Sequence, residues 1–254
     1  MSWKHSVWRS VSSIYSLFPS VRRPGLRILS YHSVDSVLPG DPYGLSVQAS
    51  VFRSQMELVA SGRFGKPVSL GAAKLDGSAE LAVSFDDGFA DTLTKAAPIL
   101  AALKLPFTVA VTKSFVEGGA FPHLSVSGLK ELAGVPLAEI GAHGAAHLRL
   151  AEASDGALAE DLAASKSFVE ATLAAPCRVM TWPHGSASRR TADAARAAGF
   201  VRAGCSLYGV NEPGREPLLL KRTEITGFDS MKDFERKCTG GWDFFALRQG
   251  DPAA

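Results

Sequence analysis

Cysteine is scarce: Cys177, Cys205 and Cys238 are the only three in 254 residues, and no two form a Cys-x-x-Cys step. An odd, scattered set supports neither a disulfide framework nor a zinc ribbon nor thioredoxin-like redox chemistry. Three free thiols fit a reducing compartment. A charge surplus is also missing. Lys and Arg total 27 against 25 Asp and Glu, a net charge of +2, and no Lys/Arg-rich run is present. No phosphate-tracking surface is expected, which sets nucleic acid aside as a partner. No apolar run approaches the roughly 18–20 residues of a membrane span. No strand-like run is followed by Gly-x-Gly-x-x-Gly or by a Gly-rich loop ending in Lys-Ser/Thr, so the usual nucleotide folds lose their signal. Internal repeats and low-complexity linkers are absent as well.

Residues 1–25 make a poor secretory signal, because Lys4, His5, Arg9 and several serines interrupt the apolar residues and no small-residue cleavage site follows. The expected location is cytoplasmic, with association at the inner membrane face as a variant of it. Trp3, Val7, Val11, Ile14, Tyr15 and Phe18 recur at helical spacing, with Lys4, Arg9, Arg22 and Arg23 nearby. Such a helix either packs on the protein body or a second subunit, the commoner cause of an apolar stripe, or rests on anionic lipid through residues 1–20.

What the chain does have is 46% hydrophobic and 20% charged residues, the make-up of a folded soluble protein. From residue 26 onward, short apolar runs alternate with helical patterns. The strand-like runs are LRILSY (26–31), LAVSF (81–85), FTVAVT (107–112), LAEIGA (137–142), CRVMTW (177–182), FVRAGC (200–205) and LLLKR (218–222). Between them, Ser50, Asp91, Ser154 and Ser188 can cap helices, Pro98 must kink or begin one, and Gly199 can close the last. Seven strands alternating with helices predict a parallel α/β sheet closed as a single distorted (β/α)7 TIM-like barrel. Residues 25–245 form that domain, with an amphipathic segment at 1–24 and a tail at 246–254.

In such barrels, chemistry collects at the C-terminal strand ends. His32 follows the first run, Asp86 and Asp87 the second, His143 the fourth, and Pro183-His184-Gly185 the fifth, while Arg222 ends the seventh. Adjacent carboxylates at a strand end point different ways, so one can bind a metal while the other faces water. A plain turn or helix-capping pair is the alternative for an isolated Asp-Asp-Gly. His143 and His147, four apart, can face one ion if their segment coils. With Asp87 they give two nitrogens and one oxygen, the open donor set of a catalytic zinc site.

These residues carry a resemblance. SFDDG (84–88) resembles the TFDDG motif of the polysaccharide deacetylases, the NodB-type carbohydrate esterases. HGAAH (143–147) resembles the family's H-[ST]-x-x-H, and WPHG (182–185) its aromatic-Pro-aromatic-Gly motif. The likeness runs from about residue 26 to 235, through SKSFVEATL (165–173), AAGF (197–200) and LLLKRTEI (218–225). YHS (31–33) on the first strand resembles the branch that acts on poly-N-acetylglucosamine. Four departures stand out. Gly144 replaces Ser or Thr, which predicts a weaker metal site, and His184 replaces an aromatic residue. No Arg motif directly precedes Pro183, Arg178 being the nearest candidate, and no Leu-x-His occurs near the C-terminus.

The resemblance implies a metal-dependent deacetylase acting on N-acetylhexosamine units of a polysaccharide or oligosaccharide, with one divalent ion, zinc first, on Asp87, His143 and His147. Asp86 is the expected base, His32 the acid for the leaving amine, with His184 competing. Arg222 either orients Asp86 or is a structural ion-pair member. The oxyanion falls to a backbone N–H of the Trp182-Pro183-His184 segment. Two other readings are a non-catalytic glycan-binding or scaffold protein of a polysaccharide assembly system, and O-deacetylation. A binder has little need of Asp86 beside a complete metal set. Phe89, His5, His123 and Trp242 are expected to pack or face solvent.

Overall fold

The structure, a computed structural model, describes residues 3–18 and 23–253. Ten strands follow in chain order. They are β1 (Leu26–Tyr31), β2 (Ser33–Val34), β3 (Ser46–Val47), β4 (Lys66–Val68), β5 (Glu80–Phe85), β6 (Phe107–Val111), β7 (Ala138–Ala142), β8 (Val179–Thr181), β9 (Arg202–Gly204) and β10 (Thr223–Glu224). The helices are α1 (Trp3–Tyr15), α2 (Ala49–Ala60), α3 (Ala97–Ala102), α4 (Lys113–Gly118), α5 (Val126–Ala133), α6 (Asp155–Leu173), α7 (Arg189–Ala197) and α8 (Met231–Cys238). The main sheet runs β10-β1-β5-β6-β7-β8-β9, with β4 added to the first half of β5, and every pairing of these strands is parallel. A parallel bridge between Gly204 and Leu220 joins β9 to the segment leading into β10, so the sheet curls round until its ends meet. This is the expected (β/α)7 barrel. Its seventh strand is displaced: LLLKR meets its neighbour only at that bridge, and the ladder with β1 begins at Thr223.

Side chains alternate across a strand, and here the alternation builds the site. Leu26 and Ile28 of β1, Ala82 of β5, Val179 of β8 and Leu220 form one apolar cluster on the inner face. One or two steps further along the same face, the residues turn polar: Ser30, Ser84, Asp86, His143, Thr181 and Arg222, all buried. The outer face stays apolar. Leu29, Tyr31, Val83, Phe85, Phe107 and Val109 pack with Phe52 and Met56 of α2 and Leu162 of α6. Tyr31 meets Phe52 edge-on at 5.3 Å, and its hydroxyl donates to Gln55. Each such ring removed from water contributes about 1.5–3 kcal/mol.

Two of the expected caps form. Ser154 accepts from the Ala157 amide, and Ser188 makes a reciprocal capping box with Thr191. Ser50 does not cap. α2 begins one residue earlier, after Gln48, without a side-chain cap. Asp91 does not cap either; a π turn at Thr92–Ala96 leads to α3, whose first turn takes Pro98, while the Asp91 carboxylate accepts from Ser33.

The amphipathic segment is not separate from the barrel. Trp8 of α1 packs on Phe245 at 5.2 Å, Tyr15 on Phe244 at 5.5 Å, and Arg9 pairs with Asp233 at 2.8 Å. Val7, Val11, Ile14 and Phe18 face outward. Arg22 and the side chains of Trp3, Lys4 and His5 lie outside the described residues. The tail also returns to the barrel: Gln249 Nε2 donates to the Ser206 carbonyl at 2.9 Å. Beneath it, buried Lys237 of α8 donates to Asp229 at 2.7 Å and to the Glu224 carbonyl at 2.8 Å. Its ammonium lies 5.3 Å from the Trp242 ring centre. No helix among the described residues is long and apolar enough to cross a membrane.

Candidate active site

The ends of β1, β5, β7 and β8, with the lead-in to β10, open into a cavity of about 570 Å³. It is lined by His32, Asp86, Asp87, His143, His147 and Arg222 among others. The Asp86 amide donates to the Tyr31 carbonyl at 3.0 Å, which keeps the extension of β5 zipped to β1 and aims Asp86 inward. The next residue, Asp87, takes a left-handed φ of 70°, a conformation that Asp tolerates, and so turns to the rim.

Asp86 is fully engaged. Arg222 Nη1 and Nη2 donate to Oδ1 and Oδ2 at 2.7 and 2.8 Å, and Thr181 Oγ1 donates to Oδ1 at 2.9 Å. Burial alone would push the carboxyl up, but the Arg222 guanidinium, then His143, outweigh it and hold Asp86 well below the usual carboxylate range. Arg222 reaches it by crossing β9 at Gly204, where a Cβ would lie 2.5 Å from Arg222 Cδ. Its Nε donates to the Cys205 carbonyl at 3.3 Å. A planar fork held at three points fixes one orientation of the carboxylate.

Asp87, His143 and His147 form a cluster whose donor atoms all lie within 4.8 Å of one another. Asp87 Oδ1 is 3.4 Å from His143 Nε2 and 3.2 Å from His147 Nε2, yet it is buried without a hydrogen-bond partner among the described residues. His143 Nδ1 lies 3.0 Å from the Thr181 carbonyl and 2.6 Å from its hydroxyl. A carbonyl only accepts, so the proton sits on Nδ1 and Nε2 turns a lone pair toward the carboxylate. Two lone pairs facing each other across a buried gap call for a cation between them. The residues fit a divalent metal ion.

The loop carrying the histidines is held from below. Gly144 has φ 74°, and a Cβ there would come within 3.1 Å of both Asp161 Oδ1 and Pro183 Cγ, so the space a Ser or Thr side chain would need is already filled. Buried Asp161 of α6 accepts from the Ala145 and Ala146 amides at 2.9 and 3.0 Å. The His147 ring lies 5.4 Å from that of Phe115, which in turn stacks on His123 at 4.4 Å. The support missing from Gly144 thus comes from Thr181, Asp161 and Phe115. None of these three stands out in the sequence. Only the inward register of Thr181, two residues after Val179, signals it.

The remaining residues divide. His32 lines the cavity just past the tip of β1, with Nδ1 buried and without a partner among the described residues. His184 is exposed at the rim, and its Nε2 lies 3.2 Å from the His147 carbonyl. Partial loss of hydration, followed by the neighbouring His147 ring, lowers its pKa. Trp182 is withdrawn from the oxyanion role: its amide donates to Gly204 and its indole to Leu218, both at 2.9 Å, and its side chain is buried. Pro183 has no N–H and the Gly185 amide bonds Trp182, which leaves the His184 amide as the donor of this turn without a carbonyl partner among the described residues. Arg178 is exposed at the far end of β8 and takes no part. Phe89 packs on His123 at 4.9 Å.

A (β/α)7 barrel with a carboxylate-imidazole cluster and a second, clamped carboxylate at its mouth has the layout of a hydrolase. The chain belongs to the polysaccharide deacetylase family, whose model matches residues 75–203, just over half of its length. Members are hydrolases acting on amide bonds of acetylated sugars. Among solved structures, the Streptococcus pyogenes deacetylase PplD, in complex with acetate, is 20% identical with a TM-score of 0.74, over 85% of this chain and 99% of that one. IcaB from Ammonifex degensii is 22% identical (TM-score 0.65), over 86% and 97% of the two chains. A de-N-acetylase from Aggregatibacter actinomycetemcomitans is 17% identical (TM-score 0.66), over 84% and 99%. At these identities the likeness establishes the fold. A comparison with curated proteins gave no match.

Proposed function

We propose that the chain is a metal-dependent N-deacetylase that hydrolyses the acetamido group of N-acetylhexosamine units, foremost N-acetylglucosamine, in an exopolysaccharide or its lipid-linked precursor. The observation that carries this reading is the arrangement of two neighbouring carboxylates, Asp87 open toward two imidazoles and Asp86 clamped by Arg222. The description of one structural neighbour as a de-N-acetylase supports the choice of an amide over an ester.

Asp87, His143 and His147 would hold the ion, and their two-nitrogen, one-oxygen donor set suits zinc. When bound, the ion supplies Lewis-acid polarisation of the acetyl carbonyl and lowers the pKa of water from 15.7 toward about 7. Asp86, ionised and unable to rotate, takes a proton from the attacking water. The His184 amide donates to the oxyanion as the carbonyl becomes tetrahedral. His32 gives the nitrogen the proton with which it leaves as an amine, and acetate is the second product. Acetate release from N-acetylglucosamine oligomers tests the reading. It should be abolished by a chelator and restored by zinc. Oligomer binding without acetate release, with or without metal, would instead favour the glycan-binding reading.

A cytoplasmic location, with α1 touching the inner membrane face, belongs to the same proposal. Its support is the outward apolar stripe of Val7, Val11, Ile14 and Phe18, and three cysteines that are all unpaired. Ile14→Ser with Phe18→Ser should reduce co-sedimentation with anionic vesicles and leave acetate release from soluble oligomers unchanged. Undiminished co-sedimentation would remove the membrane from the proposal.

A further inference from the structure

Thr181 is the last residue of β8 and is completely buried. β-Branched residues suit strands, and nothing about a threonine there suggests chemistry. Yet its two oxygens meet both halves of the site. The carbonyl and hydroxyl oxygens lie 3.0 and 2.6 Å from His143 Nδ1, and the hydroxyl lies 2.9 Å from Asp86 Oδ1.

The hydroxyl has one proton to give and cannot donate to both neighbours. Arg222 pins an ionised Asp86 against it, and an ionised carboxylate can only accept. The hydroxyl proton therefore points to Asp86 Oδ1. His143 Nδ1 must then be the donor toward Thr181, which the second contact, to the carbonyl, also requires. The chain of donors has one direction: His143 Nδ1–H to Thr181 Oγ1–H to Asp86 Oδ1. Reversing it would set the Thr181 oxygen against Asp86 with no proton between them.

We propose that Thr181 is a positioning residue that ties the base Asp86 and the metal ligand His143 into one hydrogen-bonded unit, its hydroxyl joining its own carbonyl in holding the imidazole tautomer and Arg222 in holding the carboxylate. The inference rests on the deacetylase reading for the roles of Asp86 and His143, but the linkage itself does not depend on turnover. Because a supporting residue that fixes the proton of a metal-bound imidazole typically governs affinity or rate by about 10–100-fold, its loss is measurable in both. Valine preserves the branched shape and removes the hydroxyl, while serine restores the hydroxyl.

Three readouts separate the possibilities. In metal-free protein, nitrogen NMR of His143 should report the Nδ1–H tautomer in the wild type and Thr181→Ser, with that preference weakened in Thr181→Val. Zinc affinity by chelator competition should fall about 10–100-fold in Thr181→Val and recover in Thr181→Ser. At saturating zinc, Thr181→Val should still show a reduced kcat with little change in KM, because Asp86 has lost one of its anchors. If His143 carries its proton on Nε2, or if Thr181→Val matches the wild type in zinc affinity and kcat, the inference is overturned. If Thr181→Val cannot be purified folded, the wild-type tautomer and the Thr181→Ser affinity still decide. A wild type that releases no acetate, but whose tautomer and affinity respond as stated, would defeat the deacetylase reading and leave the linkage standing.

Discussion

Arg222 and Asp86 are 136 residues apart in the chain and meet, both buried, in a two-pronged contact. Both ends of the guanidinium are used, so lysine cannot substitute for it. Arg222→Lys should keep the fold and lower kcat at saturating metal, because a single ammonium leaves the carboxylate free to rotate. Arg222→Met should go further and destabilise the protein by about 3–5 kcal/mol, since it strands a buried charge. Denaturant unfolding alongside acetate release checks both, and a fully active Arg222→Met would reduce the pair to a structural one.

The two neighbouring aspartates should separate cleanly. Asp86→Asn is expected to retain zinc and lose nearly all turnover, because an amide cannot take a proton from water. Asp87→Asn should lose zinc and turnover together. Metal analysis of the two purified variants decides. An active Asp86→Asn would move the base elsewhere.

His32 and His184 compete for the leaving-group proton. His32 follows a strand tip with one nitrogen buried, whereas His184 is exposed on a turn and already engaged with the His147 carbonyl. His32→Ala should therefore lower turnover by about 10²–10⁴-fold with zinc still bound. If His184→Ala shows that loss and His32→Ala does not, the assignment is reversed.

The ion pair of Lys237 and Asp229 predicts a stability effect away from the chemistry. Burial disfavours the ammonium, yet Asp229, with Tyr208 after it, raises the Lys237 pKa above the ordinary lysine range. A raised lysine stabilises the fold fully below its unfolded value of about 10.4, and that contribution is lost as pH climbs through the folded value. Lys237→Met should cost about 3–5 kcal/mol at neutral pH, as removal of one buried partner does. Replacing both partners, as Lys237→Met with Asp229→Leu, should recover part of it. Urea unfolding of the two variants measures this; equal stability of Lys237→Met and wild type would show that the charge contributes nothing.

Much of the site was legible because strand ends are legible. Asp86, Asp87, His143 and Arg222 each terminate or follow an apolar run, and a parallel barrel gathers such ends at one mouth. The shorter elements were not. α4 has six residues and α5 and α8 have eight each, too few for a helical period to emerge, and the β2–β3 ladder has two residues a side. Ser50 misled because it precedes the apolar stripe that starts at Phe52, whereas the helix itself already begins at Ala49. The supporting residues stayed hidden for a different reason: Asp161 and Thr181 are ordinary occupants of a helix and a strand, and only the packing of each against the 143–147 segment gives them partners.

The seam between β10 and β1 has a consequence for the order in which the molecule acquires its properties. The side chains of Asp87, His143 and His147 all lie within the first 147 residues, Asp161 and Thr181 that hold their loop follow, and the cation that compensates Asp86 arrives last, with residue 222. During synthesis, metal-binding groups emerge long before the base can be buried with its counter-charge. A chain whose final strand has not docked carries the histidines but lacks the guanidinium that holds Asp86. Hydrolytic competence thus serves as a report that the ring has closed.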